Sequence, residues 1–421
     1  MIETMELRSG VQLYTCRDTR FKQGALSIQF VRPMSKKEAS CNALLPAVLL
    51  RGTTKYPDLR AITLRLDDLY GASVSTLVRR VGDYQTTGFY CSFMEDKFAL
   101  DGDEILRPML DFVFQLLLEP VVEKDGFSES FVRSEKKNLI STIEAEKNDK
   151  RVYASSQLLK IMCKGDSFGL PRLGEKEDVE NITPKGLYEH YRTILKESPV
   201  QVFYVGSMPK EAVAELLKKQ FEKIEKAPRV LSPQTAFSGG VGSHVTKAMD
   251  VAQAKLCMGF VTPITSRSED FAVMQVLNTV FGGGMTSKLF MNVREKLSLC
   301  YSVGSFYYGT KGLMTVSAGI DNNKEQTARN EILSQLEACR EGNITDEELA
   351  AAKEAVLSSL HTVHDSPGAI EGYYTSAALS GVTMDLEAYK QAVSVVSIED
   401  VARAAKSLVY HSSFLLKGAG Q

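Results

Sequence analysis

The sequence predicts an α+β protein of two tandem homologous domains, each a mainly antiparallel sheet flanked by helices. Three observations carry this expectation. The chain has 421 residues, more than the roughly 100–200 of a typical single domain. Three pairs of segments repeat along it. Each copy mixes runs of strand period with longer runs of helix period.

The first pair is Gln23–Pro33 and Gln253–Pro263, at an offset of 253 − 23 = 230. Each is an alternating or apolar run that closes at a proline, as a strand entering a turn does. After Gly71, the stretch from Ala72 to Leu77 alternates like an edge strand, although the pattern alone favours an ordinary paired strand. The second pair, Phe131–Ile140 and Leu349–Leu357, reads as two charged helices at an offset of 353 − 135 = 218. Thr345 followed by Glu348 predicts a capping box at the start of the second. The third pair is Val202–Gly206 and Phe414–Gly418, two apolar strands ending at glycine, offset 418 − 206 = 212. An offset that falls from 230 to 212 is what two related domains with unequal loops produce. The expected boundaries are 1–221 for the first domain, 222–242 for a linker whose Lys, Pro and Gly break both periods, and 243–421 for the second.

Composition narrows the function. Lys and Arg total 50 against 52 Asp and Glu, a net charge of −2, so no one-signed field draws nucleic acid or an anionic membrane. With 44% hydrophobic residues and no apolar run of the roughly 18 residues a span requires, the chain reads as soluble. Its start, Met1-Ile2-Glu3-Thr4-Met5-Glu6, lacks the basic and then apolar order of a signal peptide, which predicts a cytoplasmic location. The 7 cysteines are scattered and form no C-x-x-C, against both a disulfide framework and a thiolate zinc site.

His361 and His364 share a helix face with Asp365 next to them, the one histidine pair at ligand spacing. No glutamate accompanies them as a base, and Ser366-Pro367-Gly368 stops the helix, so they read as a solvated helix end. The run Gly282-Gly283-Gly284-Met285-Thr286-Ser287-Lys288 lacks the glycine that a phosphate loop places directly before its lysine, and reads as a close-approach turn. In the next segment a helix end carrying Arg294 gives way to a strand carrying Tyr301. Such a junction offers a guanidinium and a phenol to a developing oxyanion, although a surface arginine and a strand tyrosine fit the same pattern.

The glycine segment, Val293-Arg294-Glu295-Lys296 and Leu299-Cys300-Tyr301-Ser302-Val303, set in a duplicated frame, together resemble the insulinase/pitrilysin family of inverzincin metallopeptidases, which includes mitochondrial processing peptidase. The resemblance covers essentially the whole chain. It implies an inverted H-x-x-E-H zinc motif in the first domain, a glycine and threonine after it, and a third ligand from a later helix. Aligning Leu50-Arg51-Gly52-Thr53 with that ending puts the motif on Ala43-Leu44-Leu45-Pro46-Ala47. Both ligand histidines are alanines and the base is a proline. In the helix that resembles the third-ligand helix Glu135 remains, but the ligand position is Thr142. Alanine offers no lone pair, so no zinc is expected in this chain.

The resemblance further implies that Arg294 and Tyr301 reach a substrate carbonyl, and that Ala72, Ser73, Val74, Ser75 and Thr76 form an edge strand that takes up a peptide. The chain is then the zinc-less subunit of a cytoplasmic heterodimer whose partner supplies zinc, H-x-x-E-H and base, with unfolded peptide as substrate. A homodimer is the other pairing. The similar bacterial members without zinc ligands are associated with 5-aminopentanol modification of elongation factor P, a link carried by the resemblance and by no residue. The alternative expectation is a peptide-binding or scaffold protein of the same fold without peptidase function, as for core subunits of respiratory complexes.

Overall fold

The structure is a computed structural model that describes residues 2–232, 234–382 and 385–418. Pro233, within the expected linker, lies outside them. The chain forms two compact units, each assembled from three stretches. The first comprises Met1–Glu144, Pro171–Pro233 and Val363–Ser376, and the second Ala145–Leu170, Gln234–Thr362 and Ala377–Gln421.

In the first unit, β1 (Ile2–Arg8), β2 (Val11–Arg17), β3 (Gln23–Pro33), β4 (Ser73–Val81), β5 (Tyr84–Met94) and β8 (Val200–Gly206) form one six-stranded sheet. Its order is β1-β2-β8-β3-β5-β4, with β2 and β8 parallel and the other neighbours antiparallel. A short hairpin of β6 (Val122–Glu123) and β7 (Gly126–Phe127) stands apart. One face of the sheet buries Leu26, Ile28, Phe30 and Phe89 against Leu44 and Leu45 of α1 (Ala39–Leu49) and Phe112 and Leu116 of α3 (Leu106–Leu118). Between these two helices in sequence comes α2 (Leu59–Asp68), capped by Asp58 through the Ala61 N–H. Leu187 and Ile194 of α7 (Pro184–Glu197) and Val213 and Leu217 of α8 (Lys210–Phe221) complete that core. The first unit also holds α6 (Lys176–Glu180) and nearly all of α4 (Glu129–Ala145). The opposite face carries Cys16, Ala25 and Val205, covered by Ile370 from α12 (Pro367–Ser380). Apolar cover on both faces explains why nine consecutive residues inside β3 are buried.

The second unit repeats the plan. Its five-stranded sheet runs β11-β12-β10-β13-β9, from β9 (His244–Met249), β10 (Ala254–Val261), β11 (Cys300–Tyr308), β12 (Leu313–Ile320) and β13 (Val409–Gly418). Read from β2, the first sheet has the same order, with its parallel β2/β8 pair matched by β9/β13. The repeats expected from sequence fall on equivalent elements: β3 with β10, β8 with β13, and α4 with α11 (Asp346–His361). The capping box is present at Thr345 and Glu348. Packed around this sheet are α9 (Phe271–Gly282), α10 (Glu325–Arg340), α13 (Leu386–Ser394) and α14 (Ile398–Ser407), and also α5 (Lys150–Met162) from the N-terminal half of the sequence. Tyr153, Leu158 and Met162 of α5 bury against Cys257, Phe414 and Leu416. After α5 in sequence, Asp166 pairs with Lys311 at 3.0 Å, both side chains shielded from solvent.

Among the described residues no helix is long and apolar enough to cross a membrane. Among the described residues no disulfide is formed.

Candidate functional site

The helix that aligns with a zinc motif is a packed core helix here. Ala43 and Pro46 of α1 are buried, and Ala47 is half-buried. Pro46 has no N–H to return to Asn42, four residues back. The carbonyl of Asn42 instead accepts from the Thr87 hydroxyl at 2.7 Å, which satisfies the group the proline orphans. Thr142 turns its hydroxyl back along α4 to the Asn138 carbonyl at 3.0 Å. Glu135, which the resemblance retains, faces Arg51 at 3.4 Å, and that guanidinium lies over the Phe131 ring. Two methyl groups, a pyrrolidine and a self-bonded hydroxyl are no donor set for zinc. Among the described residues no three His, Cys, Asp or Glu side chains gather as a metal-holding group. His361 closes α11, and the His364 ring lies 6.5 Å from that of Tyr374.

Beside this helix sits a buried polar cluster that sequence reasoning missed. Asn42 donates its amide to Gln85 at 2.8 Å, so its Oδ1 turns to His190 and accepts from Nε2 at 2.7 Å. Burial holds His190 below the ordinary histidine value, opposed in part by the Glu38 carboxylate. The folded chain therefore keeps His190 neutral while the unfolded chain titrates near 6.5. On acidification the unfolded chain takes up the proton first, so stability is full above about pH 6.5 and declines as pH falls toward the lower folded-state value. Urea midpoints compared at neutral pH and near pH 5 are expected to fall for the wild type and to fall less for His190→Gln. An equal fall in both would remove His190 from that role.

The strand after Gly71 is an edge. Among the described residues β4 pairs only with β5, at one end of the sheet order. Arg172 donates to the Val78 carbonyl at 2.9 Å, so that carbonyl points away from β5. Backbone groups alternate sides along a strand, and the N–H and C=O of Val74 and Thr76 therefore also face the open edge. Ser73, Ser75 and Thr76 are exposed, whereas Ala72 is buried before the strand, its N–H given to the Leu66 and Leu69 carbonyls. On the same strand Arg79 makes a two-pronged pair with Glu371, at 2.9 and 2.8 Å.

In the second unit, the glycine run ends α9. A Cβ at Gly282 would lie 2.8 Å from the Ser305 backbone nitrogen, so only glycine lets α9 approach β11 this closely. Lys288 is engaged by Glu348 at 2.9 Å with little exposure, as a structural pair rather than a free phosphate ligand. Leu289–Lys296 is a π-helix, closed by the Leu297 N–H on the Asn292 carbonyl. Ser298, at φ 48°, reverses the chain, and Leu299 returns its N–H to Val293 at 3.0 Å. This turn joins Arg294 to Tyr301 on β11, the edge strand equivalent to β4. The Arg294 guanidinium lies 4.5 Å from the Phe290 ring centre and 3.6 Å from Glu295. Tyr301 is 67% exposed, and its hydroxyl has no hydrogen bond among the described residues. Burial raises the Cys300 thiol to about 11, against the pull of nearby Arg294.

Two duplicated sheets, an open edge strand and a zinc helix without donors define a zinc-less relative of the two-domain metallopeptidases. The family model described as the Peptidase M16 inactive domain matches residues 181–356. The chain is 31% identical over 417 residues to the "Probable inactive metalloprotease YmfF" of Bacillus subtilis, covering 98% of each. It is 26% identical over 238 residues to the "Uncharacterized zinc protease YmxG" of the same organism, 56% of this chain and 57% of that one. A conserved protein from Enterococcus faecalis, known from its crystal structure, matches with a TM-score of 0.92 at 25% identity, over 100% of this chain and 99% of that one. The chain belongs to the M16 peptidase family and is one of its non-catalytic members.

Proposed function

We propose that the chain is the zinc-less subunit of a metallopeptidase pair, in which a paralogous partner carries zinc and this chain supplies Arg294, Tyr301 and the β4 edge to an unfolded peptide. The observation that carries this reading is asymmetry of loss. Every zinc-motif position, Ala43, Pro46, Ala47 and Thr142, lacks its donor, while the Arg294/Tyr301 junction keeps an accessible guanidinium and a hydroxyl with no acceptor among the described residues. A protein kept only as a scaffold has no need of either group exposed. That one bacterium has a relative described as an inactive metalloprotease and another described as a zinc protease supports a paired arrangement.

Zinc held by the partner would supply Lewis acidity at the scissile carbonyl and an activated water. The residues of this chain act around it. Val74 and Thr76 bind the peptide backbone in extended form through their outward N–H and C=O groups. Arg294 and Tyr301 donate to the carbonyl oxygen as negative charge develops there. Co-expression with a zinc-bearing paralogue is expected to yield a complex that cleaves unfolded peptides, while this chain alone carries neither stoichiometric zinc nor activity. A paralogue that is fully active without this chain would overturn the reading.

A further inference from the structure

Three cationic side chains with no carboxylate partner among the described residues line one cavity of the first unit, beside α2, α3 and the end of α8. Its volume is about 200 Å³. Arg65, in the last turn of α2, has neither hydrogen bond nor ion pair among the described residues, and its Nε is buried without an acceptor. Lys55 lies 5.3 Å from the Tyr56 ring centre and makes no ion pair there either. The Lys223 ammonium donates to the amide oxygen of Gln220, at 2.7 Å.

The cavity is built rather than incidental. Gln220 is 8% exposed and its amide nitrogen is held by Asp111, so the chain Asp111–Gln220–Lys223 fixes the ammonium in place. Asp111 is thereby engaged by an amide, and Glu119 accepts from the Thr54 hydroxyl at 3.4 Å. Three cations, Lys55, Arg65 and Lys223, against two carboxylates, Asp111 and Glu119, leave the lining at +1. A guanidinium nitrogen withdrawn from water costs free energy until an acceptor meets it, and no acceptor among the described residues does so. A planar guanidinium flanked by two ammonium groups is the recognition set for a phosphate or carboxylate group.

We infer that this cavity binds a compact multivalent oxyanion, a phosphate- or carboxylate-bearing small molecule, with Arg65 as its forked donor and Lys55 and Lys223 as flanking charges. The site is separate from the residues assigned to peptide binding, and it stands or falls independently of them. Thermal melts of the full chain in pyrophosphate, and separately in citrate, are compared with sodium chloride at matched ionic strength. A saturable rise in Tm with pyrophosphate identifies phosphoryl chemistry, and with citrate carboxylate chemistry. Arg65→Ala is expected to weaken the midpoint about tenfold or more, the loss of a charge-assisted hydrogen bond. Lys185→Ala, which removes an exposed ammonium paired with Asp125 at 2.7 Å, should leave it unchanged. Arg65→Gln, which keeps the stem and a neutral donor, covers the case in which the alanine variant folds poorly. The inference is overturned if both anions act no better than chloride, or if the rise persists in Arg65→Ala and Arg65→Gln.

Discussion

Replacing Glu371 by alanine is expected to destabilise the first unit by about 3 kcal/mol, toward the lower end of the range for breaking a buried ion pair. The side chain of Glu371 is 1% exposed and Arg79 33% exposed, so the stranded guanidinium regains some water and the full penalty does not develop. More than the ion pair is lost. Ser27 donates to Glu371 at 2.7 Å, Gln29 at 3.0 Å and Thr375 at 3.0 Å, and the two hydroxyls lose this acceptor in a buried site, while Gln29 keeps the Ser27 hydroxyl at 3.1 Å. Since Glu371 lies on α12, the same change loosens the helix that covers the second face of the sheet. Urea denaturation followed by circular dichroism measures the effect. Glu371→Gln should lie between wild type and alanine, because it keeps one acceptor oxygen. A loss well under 1 kcal/mol for alanine would show that the carboxylate is not what anchors α12.

In the proposed complex, replacing Arg294 by alanine is expected to lower kcat about 10²–10³-fold, as for the removal of one oxyanion donor, with little change in KM. Arg294 is on a π-turn that packs through Leu289 and Val293, both buried, while its own side chain is 39% exposed. The substitution therefore removes a guanidinium without emptying a core position, and the fold should persist. Tyr301→Phe removes only the hydroxyl and should cost less. Zinc content of the partner is the control, since it should not change. Turnover equal to wild type would leave Arg294 without a chemical role and favour the scaffold alternative.

Much of the fold was legible because its signals are local. The apolar runs ending at Pro33 and Pro263, the glycine endings at Gly206 and Gly418 and the Thr345 capping box all arise within a few residues, and each is present as an element of the fold. The edge status of β4 was ambiguous in sequence because alternation records what a strand's two faces meet, not whether a neighbour pairs with its backbone. The Arg79–Glu371 pair had no signal at all. Its partners are 292 residues apart, and each reads as an ordinary surface charge in its own segment. The Asn42–His190 contact, 148 residues apart, was invisible for the same reason.

By itself, the sequence determined the duplicated α+β plan and the absence of zinc donors, since periodicity needs only neighbours and a missing lone pair needs only the residue's identity. Tertiary structure decided where α5 and α12 pack, which strand is left open, how the carbonyl freed by Pro46 is satisfied and which charges stay unpaired. Those outcomes depend on groups far apart in the chain competing for one buried position, and burial and hydrogen bonding reward whichever pairing leaves the fewest polar groups without partners.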